Sequence, residues 1–399
     1  MKGFDDETLS QADTTADLST ADLSTADLSK LILPPHSHLS TKNNPAVGFT
    51  LGTFLSLLYQ YRGHVSPVYL PRILFVSVMA SLSSALAVVE NVLTPSSTID
   101  RVPLHPSPVF IIGAPRSGTT LLHNLLSLDT AQFSTCSTFC AGFPTSFLWF
   151  EKHRDLLSSF LSPTRPMDSM PLHFDLPQED ELGTNVLSGG VSPYTMLYFM
   201  TAYKHLLPFY RSPPPAWTTA FLFLLRKLTL RARRQNTPER LLLKSPVHTA
   251  RVRHLLSIFP DAKFVHIQRN PVDVLASSIH MANTTYSYTY LSRAEPSTVL
   301  EFILSQNETL WSALDGDREL LHCGNFVEVK YEEFCADPVA GIERVYGGLG
   351  IKGGEGFKER LEREVDELRD YRKNSFRPPQ ALRAVAGERW GKWIRDWQY

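Results

Sequence analysis

The segment Pro108–Asp129, PVFIIGAPRSGTTLLHNLLSLD, constrains this chain more than any other. Val109–Ile112 reads as a buried strand, a loop of small residues follows, and Thr119 or Thr120 opens a helix with apolar positions at Leu121, Leu122, Leu125, Leu126 and Leu128. Such a junction is an anion cradle. Gly113 and Gly118 allow tight turns and close backbone approach, successive N–H groups converge at the helix start, and Arg116 adds a fixed positive charge. A nucleoside-triphosphate loop would read GxxxxGK[ST], with its lysine on the β- and γ-phosphates. Here Gly113–Thr120 reads GAPRSGTT, with Thr119 at the lysine position, which counts against a kinase or ATPase and favours a ligand with a different anionic end.

From Pro106 onward short apolar runs alternate with helical patterns, as in a parallel sheet covered by helices. The expected strands are Val109–Ile112, Leu241–Leu243, Phe264–Gln268 and Phe326–Val329, and ligands of such sheets bind at the carboxyl ends of the strands. Lys plus Arg number 39 against 40 Asp plus Glu, a balance that argues against a nucleic-acid-binding chain and makes any anion site local. Cys136, Cys140, Cys323 and Cys335 form no CxxC pair and no zinc-type spacing, so free thiols and no metal are expected.

Upstream, residues 1–45 are rich in Ser, Thr, Asp and Ala and repeat TADLS three times within Thr15–Ser29, the composition of a disordered low-complexity tail. No charged segment followed by an apolar stretch opens the chain, which argues against a cleaved secretory signal. Residues 46–105 read as an apolar helical extension with two stretches, Val47–Tyr59 and Val68–Val89; the second holds an uncharged run of 17 residues, Ile73–Val89, between Arg72 and Glu90. A spanning helix takes about 20 mostly apolar residues. Two readings stay open, helices packed on the following domain and membrane contact through residues 47–89. Residues 106–399 form the third region. Within it, the helix Trp217–Arg234 carries Arg226, Lys227, Arg231, Arg233 and Arg234 near its end, read first as a solvated basic face and second as a site for an acidic or membrane partner.

PRSGTTLL at Pro115–Leu122 resembles the 5′-phosphosulfate loop of sulfotransferases that use 3′-phosphoadenosine 5′-phosphosulfate (PAPS). HIQRNPVDVLASS at His266–Ser278 places Ser277 eight residues after Arg269, the family's spacing for the pair on the cofactor's 3′-phosphate. VEVKYEEFCADP at Val327–Pro338 is similar to the strand and YEE…DP segment behind the site, and LLLKSPVH at Leu241–His248 completes four motifs in family order between Pro106 and Ile351. The resemblance is to the broad branch that includes bacterial and tyrosylprotein sulfotransferases. It implies an α/β, P-loop-like three-layer fold with a central parallel sheet flanked by helices, PAPS as co-substrate without a metal, and cofactor contacts from Arg116, Ser117, Gly118, Thr119, Thr120, Arg269 and Ser277. The cytosolic branch's closing RKGxxG segment is matched only loosely by Tyr371–Asn374 or Arg383–Trp393, so no C-terminal ligand is assigned.

Sulfuryl transfer to a hydroxyl or amine depends on positioning and on stabilising charge at the leaving oxygen. Lys244, at a strand end and matching the family's KSP lysine, is the candidate for that charge. A base must take the acceptor proton. Met167–Leu182 concentrates His173, Asp175, Glu179, Asp180 and Glu181; neighbouring like charges raise one another's pKa, and Glu179 is the first candidate, followed by Asp180, His173 and His248. The competing reading is an acidic cluster that only complements a helix start. His123 and His266 are expected to pack. A catalytically silent nucleotide-binding scaffold and a divergent kinase are the rival functions; Lys244 with a titrating base separates enzyme from scaffold. The acceptor is expected to be a small molecule or lipid, and the aromatics of Phe139–Phe150 and Tyr194–Tyr210 read equally as an acceptor pocket and as core. The expected location is cytoplasmic with membrane association; sequons at Asn283 and Asn307 leave a Golgi membrane as the alternative.

Overall fold

The computed structural model describes residues 28–34, 39–368 and 376–399. Strands β1 (Val109–Ile112), β2 (Ser134–Thr135), β3 (Leu241–Lys244), β4 (Lys263–Gln268) and β5 (Phe326–Lys330) form a parallel sheet in the order β2-β3-β1-β4-β5. The four strands expected from sequence are present; β2, with two residues against Leu241 and Leu242, is too short to leave a periodic signal. The helices that position the site are α1 (Leu51–Gln60), α2 (Leu70–Leu93), α3 (Thr119–Ser127), α4 (Asp180–Leu187), α5 (Pro215–Arg234), α6 (Pro271–Thr285), α7 (Pro296–Asp317), α8 (Pro338–Leu349) and α9 (Gln380–Asp396).

Alternation along the strands sorts their side chains into two buried layers. Val109, Ile111, Leu242, Val265 and Val327 pack with Leu122, Leu125 and Leu126 of α3 and with Ile342 and Val345 of α8. Phe110, Ile112, Leu241, Leu243 and Phe264 pack on the other side with Trp217, Phe221, Leu224 and Leu228 of α5. Helix, sheet and helix therefore form the expected three layers. The same alternation puts Lys244 on the face of Leu242, the face that α3 covers, and so aims a lysine at the start of that helix.

A further core joins α1 and α2 to α6, α7 and α9, and it corrects the readings of the N-terminal half. The TADLS repeat lies almost wholly outside the described residues, but Leu28 and Ile32 are buried, and Asn283 of α6 brackets their segment, donating to Leu31 O at 2.9 Å and accepting from Leu33 N at 2.8 Å. The expected tail thus gives way to packed chain before residue 45. Arg72 and Glu90, which bound the uncharged run, are buried anchors: Arg72 donates to Ser287 O at 3.0 Å and Tyr290 O at 2.7 Å, and Glu90 pairs with Lys227 of α5 and accepts from Leu148 N at 2.8 Å. The basic end of α5 is accordingly only in part a solvated face: Arg233 and Arg234 are exposed, but Lys227 and Arg231 are committed to carboxylates. Lys227 is 1% exposed, Arg231 grips Glu151 at 2.6 Å, and Arg234 reaches Thr94 at 2.9 Å. Their partners come from segments 80 to 140 residues away along the chain, beyond the reach of local charge patterning. The opposite side of α2 is bare: Leu70, Leu74, Val78, Leu82, Val88 and Val92 are exposed. The helix Pro67–Leu93 has the length and composition to cross a membrane.

Candidate active site

The site grows from the turn between β1 and α3. Gly113 (φ +149°) and Gly118 (φ +101°) occupy backbone conformations that favour glycine, and added Cβ atoms would meet Ile267 O at 2.8 Å and collide with the Tyr331 ring. Arg116 adopts φ +69° with a full side chain, a strained geometry of the kind that persists where function requires it. The turn is clamped from behind by Thr249, whose hydroxyl accepts from Gly113 N at 2.8 Å and donates to Gly113 O at 3.1 Å.

Beyond this turn lies a polar cleft of about 90 Å³ lined by Arg116, Gly118, Thr119, Thr120, Arg269 and Ser277 together with Asp168, Tyr331, Leu368 and Phe376. Arg116 Nε donates to Ser277 Oγ at 3.1 Å, Arg116 Nη1 pairs with Asp168 Oδ2 at 2.9 Å, and Arg269 Nη1 donates to Arg116 O at 2.9 Å. The Arg269 guanidinium stacks 4.4 Å above the Tyr331 ring. Its Nε is buried with no acceptor among the described residues, an orphaned donor that an anionic ligand would satisfy. One expected contact is displaced: Ser117 turns its hydroxyl back onto Ala114 O at 2.8 Å and lines no part of the cleft, because it closes the turn itself. Tyr371–Asn374 falls outside the described residues, and Arg389, in the other loosely matching segment, is taken by Glu301 and Glu308.

On the far side of Thr119 and Thr120 opens a second, mostly apolar cavity of about 280 Å³. Phe143, Phe160, Leu161, Leu172, Phe174, Leu182, Met196 and Leu197 supply greasy walls, whereas Phe139, Phe147, Tyr198 and Phe199 belong to the core. The aromatic-rich segments thus divide between pocket and core. Arg116, Thr119 and Thr120 line both compartments.

Glu179 lines the apolar cavity, and Lys244 lies buried behind it, beside the shared Thr120. Lys244 Nζ donates to Glu179 Oε1 at 2.7 Å and lies 3.4 Å from Thr120 Oγ1; burial lowers its ammonium pKa against the pull of Glu179. The second carboxylate oxygen of Glu179 accepts from the Tyr194 hydroxyl. Sequence reading missed Tyr194 in this role, since the only local signal was an aromatic in a segment of aromatics.

The three acids at the start of α4 do not behave as a mutually repelling cluster, and this corrects the sequence reading. Each has its own partner: Glu179 has Lys244 and Tyr194, Asp180 has His248 at 2.7 Å, and Glu181 has Arg251 at 2.9 Å together with Ser192 and Trp217. Burial alone would raise the Asp180 carboxyl, but the adjacent His248 imidazole outweighs it and holds it below its ordinary value. Asp180 and His248 are completely buried, line neither compartment and are spent on each other, whereas Lys244, also buried, bonds Glu179 and approaches Thr120 on the cavity wall; the structure thus gives His248, expected as a base, a structural partner. His173 also lies outside both linings, and Asp175 is engaged with Arg154 at 2.9 Å. His123 is fully buried, its pKa pushed down to about 3 by burial and by Lys244, and His266 is held against Glu328 at 3.0 Å. Asn307 is fully buried and Asn283 is committed to the N-terminal segment, so neither sequon offers a free acceptor in the folded chain, and the Golgi alternative loses its motive.

Comparison with known proteins agrees with this geometry. The profile of the sulfotransferase family matches residues 108–354. The omega-hydroxy-beta-dihydromenaquinone-9 sulfotransferase of Mycobacterium tuberculosis is 32% identical over 298 residues, covering 73% of this chain and 75% of that protein. Among solved structures, a sulfotransferase from Mycobacterium avium superposes with a TM-score of 0.62 at 15% identity, covering 88% of this chain and 96% of the other. Another from Mycobacterium tuberculosis gives 0.60 at 16% identity, with 86% and 91% covered; at such identities the likeness is one of fold.

Proposed function

The chain belongs to the sulfotransferase family and is an enzyme that transfers a sulfuryl group from PAPS to a hydroxyl acceptor; we propose that the acceptor is a hydroxyl borne on a long apolar molecule of lipid type. The observation that carries this reading is the pair of compartments, one polar and one apolar, sharing Arg116, Thr119 and Thr120, with Glu179 on the apolar wall and its partner Lys244 buried beside Thr120. The menaquinone-derived substrate in the relative's name is of the same chemical kind.

In this proposal Arg116, Gly118, Thr119, Thr120, Arg269 and Ser277 hold the phosphates, and the bound donor supplies the sulfuryl group and a phosphate oxygen as leaving atom. Lys244 places its ammonium beside that oxygen, a contribution worth most where water is excluded, as at its 2% exposure. Glu179 accepts the proton of the acceptor hydroxyl. Its two compartments also keep the hydroxyl end of the acceptor among polar groups and its apolar part in the greasy cavity.

The bare apolar side of α2 supports peripheral contact with a lipid surface from which such an acceptor would come. Its other side is fastened to the domain by Arg72 and Glu90, which favours lying on the bilayer over crossing it. The protein is therefore expected to leave membranes in high-pH carbonate; resistance would overturn the peripheral reading. The functional reading is tested by titrating purified protein with 3′-phosphoadenosine 5′-phosphate and assaying sulfate transfer to apolar alcohols, phenols and sugars. Tight nucleotide binding with transfer to apolar alcohols is expected; preferential transfer to sugars would refute the acceptor class.

A further inference from the structure

We propose that Tyr194 is a positioning residue that holds one oxygen of Glu179 so that the other is free to take the acceptor proton. This rests on the reading of Glu179 as the base. The two oxygens of that carboxylate have different partners: Oε1 receives Lys244 at 2.7 Å and Oε2 receives the Tyr194 hydroxyl. Lys244 cannot serve the leaving oxygen and remain the sole anchor of Glu179 at once. When the lysine turns to its other task, a carboxylate on a flexible two-carbon stem would lose its aim unless something else kept it in place. Tyr194 is that second anchor, and it is itself rigidly mounted.

The mounting is visible at both ends of the residue. Its backbone N–H donates to Ser192 Oγ at 3.1 Å; Ser192 donates to Glu181 Oε1 at 2.5 Å, and Glu181 is pinned by Arg251 at 2.9 Å and Trp217 at 3.0 Å. The ring packs with Val247, Tyr210 and Leu310. Both the residue that aims and the residue aimed thus depend on the first turn of α4, which fixes their relative position. The charged and titratable groups around the pair are Lys244 from β3, Asp180 from α4, Arg116 from the β1 turn, Arg165 from the loop before α4, Tyr210 beside the Tyr194 ring, and Tyr286 and Tyr288 after α6. Among the described contacts, Tyr194 alone of the tyrosines reaches Glu179. Burial, then the neighbouring Glu179 carboxylate, pushes its phenol well above the ordinary value, so the hydroxyl stays protonated and remains a donor.

The test is Tyr194→Phe, which removes one oxygen and leaves the packing ring. The expected result is a roughly tenfold fall in kcat with KM for nucleotide and acceptor within about twofold of wild type, and an acid limb of the pH–rate profile displaced to higher pH, since the charged base has lost a donor. In a Glu179→Gln background the same change should add no further loss. Thermal unfolding and nucleotide titration verify that each variant is folded. Unchanged kcat and pH profile in Tyr194→Phe, with Glu179→Gln slow, would overturn the positioning role while leaving the base in place. A full additive loss in the Glu179→Gln background would also overturn it, by showing that the hydroxyl acts elsewhere. Full-speed Glu179→Gln would instead remove the premise, and the positioning role with it.

Discussion

The polar cleft and the apolar cavity are built in different ways. The cleft takes its essential parts from the carboxyl ends of neighbouring strands: the turn after β1 gives Arg116, the first turn of α3 gives Thr120, and the residue after β4 gives Arg269, with Ser277 on the helix that follows. The cavity draws on Val47 and Asn44 from the N-terminal layer, Phe160 and Leu172 from the long connection before α4, Tyr194 and Met196 beyond it, and Tyr286 after α6. A ligand common to a family can be held by a compact constellation on a rigid sheet. A variable acceptor is served by a cavity whose walls come from scattered, exchangeable segments. The two share Arg116, Thr119 and Thr120, with the Lys244–Glu179 pair beside them, so changes at that pair should affect turnover, and changes away from the shared residues should affect one binding partner alone.

The largest effect is therefore expected at the boundary. Lys244→Ala and Glu179→Gln should each lower turnover by on the order of 10²–10⁴-fold while nucleotide affinity changes far less, because both act on charge that develops in the transition state. Single-turnover rates set beside nucleotide titrations separate the two quantities, and a parallel collapse of affinity would move Lys244 into the cleft proper.

Next comes the dependence of the cavity on the N-terminal layer. Burial raises the Glu90 carboxyl and lowers the Lys227 ammonium, so each relies on the other. Lys227→Met, which leaves Glu90 as an unpaired buried charge, should cost about 3–5 kcal/mol of stability in denaturant unfolding, and adding Glu90→Gln should recover much of it. If the loss is confined to stability, the acceptor KM of the folded fraction remains unaltered. A raised acceptor KM with unchanged nucleotide affinity would show that the layer also shapes the cavity.

These differences explain what could be read in the sequence. The strand, turn and helix of the loop are a local pattern, and Arg269 with Ser277 and Lys244 sit in short segments whose resemblance to the family marks them as candidates. The three-layer sheet was readable for the same reason. The acids of α4 were not, because their roles depend on His248, Arg251 and Lys244, which lie 65 to 70 residues downstream and reach them only through the fold. Composition suggested repulsion where the structure supplies a separate cation or imidazole for each carboxylate. The same holds at α5, where basic residues looked solvated, but Glu90 of the N-terminal layer and Glu151 of the connection before α4 pair with Lys227 and Arg231.

A smaller and more selective effect is expected within the cleft. Arg116→Ala removes a charge-assisted contact and should weaken nucleotide binding by roughly 1.5–3 kcal/mol, and Arg269→Ala should erase the preference of the protein for 3′-phosphoadenosine 5′-phosphate over adenosine 5′-phosphate. Calorimetry with the two nucleotides decides both. Equal affinity of the wild-type protein for the two would dismantle the 3′-phosphate assignment of Arg269 and Ser277.

The smallest step concerns the acceptor, and it bears most directly on whether the two compartments recognise by different physics. Apolar walls such as Phe143, Leu161 and Leu172 carry no directional information, so they should reward length and indifferent shape. Each methylene added to a linear alcohol that still fits should improve kcat/KM by up to about 0.8 kcal/mol, close to fourfold, until the cavity is filled. Salt should leave this series unchanged while weakening nucleotide binding, whose contacts are charged. Leu161→Glu would place a carboxylate in the greasy wall, flattening the chain-length dependence without altering the nucleotide titration. A series that is flat in the wild-type protein would mean that the acceptor's hydroxyl alone is recognised, and that the apolar cavity serves some purpose other than holding it.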